Sequence, residues 1–284
     1  MCSAWSQASA TRHAISFDVD LDESQWNALV VAAPKKSCVF CGRSDVKITN
    51  EHAWPQWVRT LFQPGVSTIL GFRRAGEPVG TVRYLAHDDM GVKVNCVCSE
   101  DCNSGWMSEL EIAVQPILSP MIRDGGQTLL SKEQQQLLAA WACKTVMVFE
   151  FTSAEPAFYT FAERDELRRT MSPPAVHMSV LIGRYVTGSF MGIAFGRRVD
   201  FDLRVDDQLV RGRADYSSIS LGQLVVQVVG FRLPVDVERI LVPNMRDWSG
   251  HAVRVWPPRH PSASWPPTNS FDNETLQQFV RPFP

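Results

Sequence analysis

Two cysteine pairs constrain this chain more than any other feature: Cys38-Val-Phe-Cys41 and Cys98-Ser-Glu-Asp-Cys102. Each pair is spaced so that one turn can aim both sulfurs at a single ion. Gly42, directly after the first pair, permits the tight backbone turn such a knuckle needs. Zinc accepts four thiolates tetrahedrally, so two knuckles brought together by folding make a closed structural site. The chain holds seven cysteines. An odd count with no legible secretory leader points to a reducing, cytoplasmic setting rather than a disulfide framework. Cys96 competes with Cys98 for the fourth position, because residues two apart on a strand face the same side. Cys98 forms the more compact knuckle with Cys102 and is preferred. Cys143 and Cys2 read as unligated.

Between the pairs stands Asn50-Glu51-His52-Ala53-Trp54-Pro55. A carboxylate beside a histidine at the end of a strand offers two functions in adjacent positions. Glu51 can hold a hard divalent cation through oxygen, and a neutral His52 imidazole can take a proton from water near pH 7. Asn103 follows Cys102 at the start of an expected helix. It can serve as a second oxygen ligand, or simply as an N-cap. Trp54 and Trp57 flank the site. Residues 34–85 carry eight Lys/Arg against three Asp/Glu, whereas the whole chain has a net charge of −2. A basic segment in an acidic protein suits a local phosphate-binding face, and it equally suits a solvated loop.

Taken together, Cys38-Val-Phe-Cys41, Glu51-His52-Ala53-Trp54-Pro55 and Cys98-Ser-Glu-Asp-Cys102-Asn103 resemble the zinc-containing branch of the HNH (His-Me finger) endonucleases. The continuation Asn103-Ser-Gly-Trp-Met-Ser-Glu-Leu-Glu111 is similar to an uncharacterised bacterial and phage subgroup of that family. The resemblance covers roughly residues 35–120. It implies a ββα-metal finger in which His52 is the general base, Glu51 and Asn103 hold a catalytic Mg²⁺ or Mn²⁺, and the four cysteines hold a structural Zn²⁺. The implied activity is hydrolysis of phosphodiester bonds, with DNA as the expected partner and RNA an alternative. The family places an asparagine on the second strand to orient the histidine. Asn95 is the nearest candidate, closer to the second cysteine pair than is usual. A non-catalytic zinc module that binds nucleic acid or protein is the alternative reading.

The expected fold class is α+β: a ββα finger with its four-Cys site in the N-terminal part, then a helix and a β-rich C-terminal region. Three divisions are expected, an extension over 1–34, the finger over 35–125, and residues 126–284 with a Pro-rich tail and no legible role beyond target selection or self-association, the latter as a possible homodimer. A short helix is expected over Glu23–Ala33, another over 54–62 with Pro55 in its first turn, and a third from about Ser104 to Ile117, bounded by Pro116 and Pro120. Ser131-Lys-Glu-Gln134 spells a capping box ahead of a buried helix that gives way to an extended segment through Phe151. Trp106 and Trp141 read as core. Beyond Glu155 the composition turns to β, with strands over 176–185, 189–194, 199–205 and 221–233. The Trp-Pro-Pro triplets at Trp256 and Trp265 are expected to lie extended on the surface, in a tail that packs on the protein rather than serving as a proline-recognition ligand. The arginines at 197, 198, 204, 211 and 213, interspersed with acids, read as a solvated sheet face. The most apolar stretch, Leu137–Phe151, is too short to span a bilayer.

Overall fold

The computed structural model of the protein describes residues 37–62, 68–72, 83–87, 93–152, 156–174, 178–186, 191–205, 208–232 and 248–280. Cys2 and the helix expected over Glu23–Ala33 lie outside them. The fold is mixed α and β. Strand β1 (Ile48–His52) pairs antiparallel with β4 (Lys93–Cys98). Between them come the short helix α1 (Gln56–Arg59) and strands β2 (Thr68–Phe72) and β3 (Arg83–His87). The chain leaves β4 through a wide-turned helical segment, Ser99–Met107, and continues as α2 (Ser108–Arg123).

Pro116 and Pro120 lie inside α2 instead of bounding it. A proline there removes one N–H and crowds the carbonyl four residues earlier. Those carbonyls belong to Ile112 and Pro116, both exposed to solvent, so water can take the bonds the helix loses.

Strand β5 (Thr128–Ser131) leads into α3 (Lys132–Phe149). Ser131 caps α3 as its spelling predicts: its hydroxyl accepts from the Gln134 N–H while the Gln134 side chain accepts from the Ser131 N–H. Trp141 is fully buried and Trp106 nearly so. The expected extended segment through Phe151 is instead the last turn of α3 followed by a tight helical turn, Glu150–Thr152. Helix α4 (Phe161–Thr170) was not expected in a region of β composition. Its signal was present: Thr160 and Glu163 form a second capping box.

Strands β6 (Met178–Arg184), β7 (Met191–Val205), β8 (Gln208–Leu221), β9 (Leu224–Arg232) and β10 (Ala252–Trp256) build the β-rich part. The sheet order is β10-β6-β9-β8-β7-β2-β3, antiparallel except where β2 runs parallel to β7. The two segments expected at 189–194 and 199–205 are one strand, in unbroken register with β8 from Ile193–Ser220 to Val205–Gln208. On this hairpin Arg213 pairs with Asp200 and Arg211 with Asp202 on the solvated face the interspersed charges suggest, whereas Arg198 pairs instead with the buried carboxylates of Glu150 and Asp215.

The centre of the sheet is covered on both faces. Val180, Ile182, Val226 and Val228 turn to the side of α3, while Leu181, Val225 and Val229 turn to Phe271 and Phe279 around α5 (Asn273–Val280). Buried Gln227 is satisfied there by the Ser218 hydroxyl and the Phe279 carbonyl. Strand β11 (Ser262–Trp265) pairs with β5. Trp265 is therefore buried rather than spread on the surface, and Trp256 is half-buried. One apolar core runs from Cys38 to Trp265. Residues before and after position 125 thus share it, as β2 and β3 share the large sheet.

Candidate zinc centre and the Glu51–His52 edge

The first knuckle is a turn in which the Gly42 N–H donates to the Cys38 carbonyl and the Cys38 N–H to that of Arg43. Gly42 has φ +74°, and a Cβ there would meet the Phe161 ring at 2.9 Å. Glycine is needed on both counts. The Val39 N–H donates to the Cys96 carbonyl, fastening the turn to β4. The second knuckle is the end of β4 and the first turn beyond it. Arg43 bridges the two loops, pairing with Asp45 at 3.1 Å and with Asp101.

The knuckles bring four sulfurs together. Cys38 and Cys102 are 3.6 Å apart, Cys41 and Cys98 3.7 Å, and all four sulfurs lie within 4.8 Å of one another. Sulfurs at about 2.3 Å from a central zinc, placed tetrahedrally, are about 3.8 Å apart. The geometry and the donor set fit a structural metal ion. Among the described residues these four form the one group of three or more His, Cys, Asp or Glu side chains that converges in this way.

Cys96 is outside the cluster. A register shift in the β1–β4 pairing falls beside it, between Thr49 and Asn50, and breaks the simple alternation that made it a rival of Cys98. Burial pushes its thiol up to about 12, whereas the hydrogen bond with Cys102 pulls Cys38 down to about 4. Cys96 is a neutral core thiol, whereas the hydrogen bond shared by Cys38 and Cys102 lowers the first thiol and raises the second. Cys143 is likewise buried and unligated.

The Glu51–His52 edge is built from the same hairpin. Successive strand residues face opposite sides, and along β1 Glu51 is buried while Asn50 is exposed and His52 half-buried. Glu51 turns inward, 5% exposed, with one carboxylate oxygen 3.7 Å from the ammonium of Lys144. Lys144 lies on α3, is itself fully buried, and donates to Glu111 of α2 at 2.7 Å. Burial pushes Glu51 up, opposed by the Lys144 charge. Burial alone would pull Lys144 down, but the two carboxylates outweigh it and hold the ammonium charged.

His52 emerges on the other side of the strand. Its cross-strand partner is Lys93, and that of Asn50 is Asn95. Directly opposed residues share a face, so His52, Lys93, Asn50 and Asn95 lie on one side of the hairpin, with Asn95 diagonal to His52. Gln56, in the first turn of α1, brings its side-chain amide within 3.4 Å of His52 Nδ1. Asn103 sits half-buried in the wide-turned segment, directly after Cys102. It is a residue of the helical segment and not its cap, which is Cys98. Gly105 departs from helical geometry there (φ −91°, ψ −118°), and a Cβ on it would lie 3.2 Å from the Glu100 carbonyl. Trp54 is fully buried against Phe149, and Trp57 is half-buried.

Sequence reasoning did not single out Lys144, Glu111, Lys93 or Gln56. Lys144 had a visible signal, as a lone charge in an apolar helix. The partners of the others depend on cross-strand register and helix packing. Among the described residues no helix is long and apolar enough to cross a membrane. Comparison with protein-family models, curated proteins and solved structures finds no match to this chain.

Proposed function

We propose that this protein is a metal-dependent endonuclease of the HNH type that hydrolyses phosphodiester bonds of nucleic acid, DNA in the first instance, with His52 as the general base. The observation that carries the proposal is the hairpin. Its first strand ends in His52, and its second runs through Cys98 into the helical segment bearing Asn103, with four converging thiols holding the pieces together. In this reading zinc at the cysteines is structural, since four thiolates leave it no open position.

A neutral His52 imidazole takes the proton of a water molecule while that oxygen attacks phosphorus and the bond to the 3′ oxygen breaks. Gln56 holds the ring from its Nδ1 side. Lys93, exposed opposite His52, is placed to pair with a neighbouring phosphate. Asn95 shares the face of His52 and keeps its proposed orienting role there. Glu51 and Asn103 would hold Mg²⁺ or Mn²⁺. Both offer hard oxygen donors, and the ion would share the Glu51 carboxylate with the Lys144 ammonium. A divalent ion so bound supplies stabilisation of the charge that develops on the phosphate and the leaving oxygen.

The test is cleavage of supercoiled plasmid with Mg²⁺ or Mn²⁺, wild type beside His52→Ala at matched zinc content. General-base catalysis contributes roughly 10²–10⁴-fold, so the variant is expected to lose at least 100-fold. Equal rates would remove the nuclease reading. One observation favours a second reading, a non-catalytic zinc-stabilised module that binds nucleic acid or protein: Glu51 is engaged by a buried lysine, an arrangement that also serves structure alone.

A further inference from the structure

The interior of α3 holds one charge. Lys144 is fully buried in a helix whose neighbouring positions are Trp141, Ala142, Cys143, Thr145 and Val146. A buried ammonium is strongly destabilising unless it is paired, and apolar residues of similar size in place of a buried ion pair are often at least as stable. Stability alone therefore gives little reason for a lysine at this position.

What the ammonium touches suggests another reason. Its two carboxylate partners come from two other elements: Glu51 at 3.7 Å from β1, and Glu111 at 2.7 Å from α2. Glu51 immediately precedes His52. Glu111 lies in the first turn of the helix that continues the segment carrying Asn103. A single group on α3 thus joins the strand that presents the imidazole to the helix that follows the second knuckle. The four-cysteine cluster lies beyond the other end of these elements, joining the turn ahead of β1 (Cys38, Cys41) to the end of β4 (Cys98) and to the segment that leads into α2 (Cys102). The hairpin and helix are held at two points, one of sulfur and one of charge.

We propose that Lys144 is a positioning residue: clamped between Glu51 and Glu111, it fixes the Glu51 carboxylate and, through the backbone of β1, the orientation of His52. The role in catalysis rests on the nuclease reading above, while the positioning itself does not.

The experiment uses the full zinc-loaded chain. Lys144→Met leaves the buried Glu51 carboxylate unpaired near the half-buried Glu111 and is prone to misfold, so Lys144→Met/Glu111→Gln is made beside it, removing one of those charges. Glu111→Gln alone gives a milder perturbation. Cys143→Ala, a neighbouring cavity on the same helix, serves as a control for loss of stability alone. Each variant is measured for zinc content, thermal unfolding, kcat and KM on plasmid, and the His52 imidazole resonances by NMR, assigned through His52→Ala.

The double variant is expected to keep its zinc and to displace the His52 resonances, with kcat lowered at least tenfold and KM within about twofold of wild type. Glu111→Gln shifts the resonances in the same direction by less. Cys143→Ala lowers the melting temperature and leaves His52 and kcat in place. A folded double variant with unmoved His52 resonances overturns the proposal, as does displacement of equal size in Cys143→Ala. If the wild type cleaves nothing while the double variant still displaces His52, the positioning stands and the nuclease reading falls.

Discussion

Replacing any one of the four clustered cysteines by serine is expected to abolish stoichiometric zinc binding, and replacing Cys96 is not. The sulfurs of Cys38, Cys41, Cys98 and Cys102 lie within 4.8 Å of one another, and a hydroxyl at one corner is a far poorer zinc ligand than a thiolate. A structural zinc contributes on the order of 10–16 kcal/mol of apparent binding free energy, against a total folding stability of about 5–15 kcal/mol. Phe40 packs on Trp106 with ring centroids 5.3 Å apart, and a buried phenylalanine is worth about 1.5–3 kcal/mol. If even 5 kcal/mol is lost, the melting temperature falls by roughly 10–20 °C for a chain of this size. Atomic absorption on Cys38→Ser, Cys41→Ser, Cys98→Ser, Cys102→Ser and Cys96→Ser, with thermal unfolding of each, checks this. Cys96→Ser should keep one zinc per chain. Full zinc content and an unchanged melting temperature in any of the other four, or loss of zinc in Cys96→Ser, would refute the assignment.

Two further predictions concern stability. Burial pushes Glu150 up to about 7 from an unfolded value of 4.5, against the bond it accepts from the Phe158 N–H. The folded chain therefore keeps a proton that the unfolded chain releases. The contribution of Glu150 to stability is fully present below pH 4.5 and falls by about 3 kcal/mol as pH rises through 7. Urea titrations across that window should show a flatter slope in Glu150→Gln, and an identical slope would count against the assignment. Gly222, at φ +53°, turns β8 into β9, and a Cβ there would sit 2.2 Å from the Ile122 backbone carbonyl. That carbonyl also accepts from the Gln223 N–H. Gly222→Ala combines backbone strain with a clash and should cost about 3 kcal/mol. A melting temperature within 2 °C of wild type would contradict this.

The local features were legible because local chemistry decides them. Cys-x-x-Cys with a following glycine demands a tight turn, and that turn forms. The Ser131 capping box starts a helix wherever the chain around it goes. The same rule would have found α4 at Thr160–Glu163, had it been weighed above the β-branched composition of its surroundings. The prolines at 116 and 120 misled because a helix tolerates them where the freed carbonyls face water, and which face is wet is a property of packing.

What the sequence determined on its own is the set of candidate side chains: four thiols in two knuckles, and a glutamate and a histidine in adjacent positions. Only the tertiary structure decided that Cys98 and not Cys96 completes the cluster, because a register shift across the β1–β4 pair settles which sulfur faces the others. It also gave Glu51 a buried lysine for a partner and His52 an exposed one across the hairpin. Those pairings join residues more than forty positions apart. They follow from strand register and helix packing, which burial of apolar surface between elements drives and no local pattern in the chain encodes.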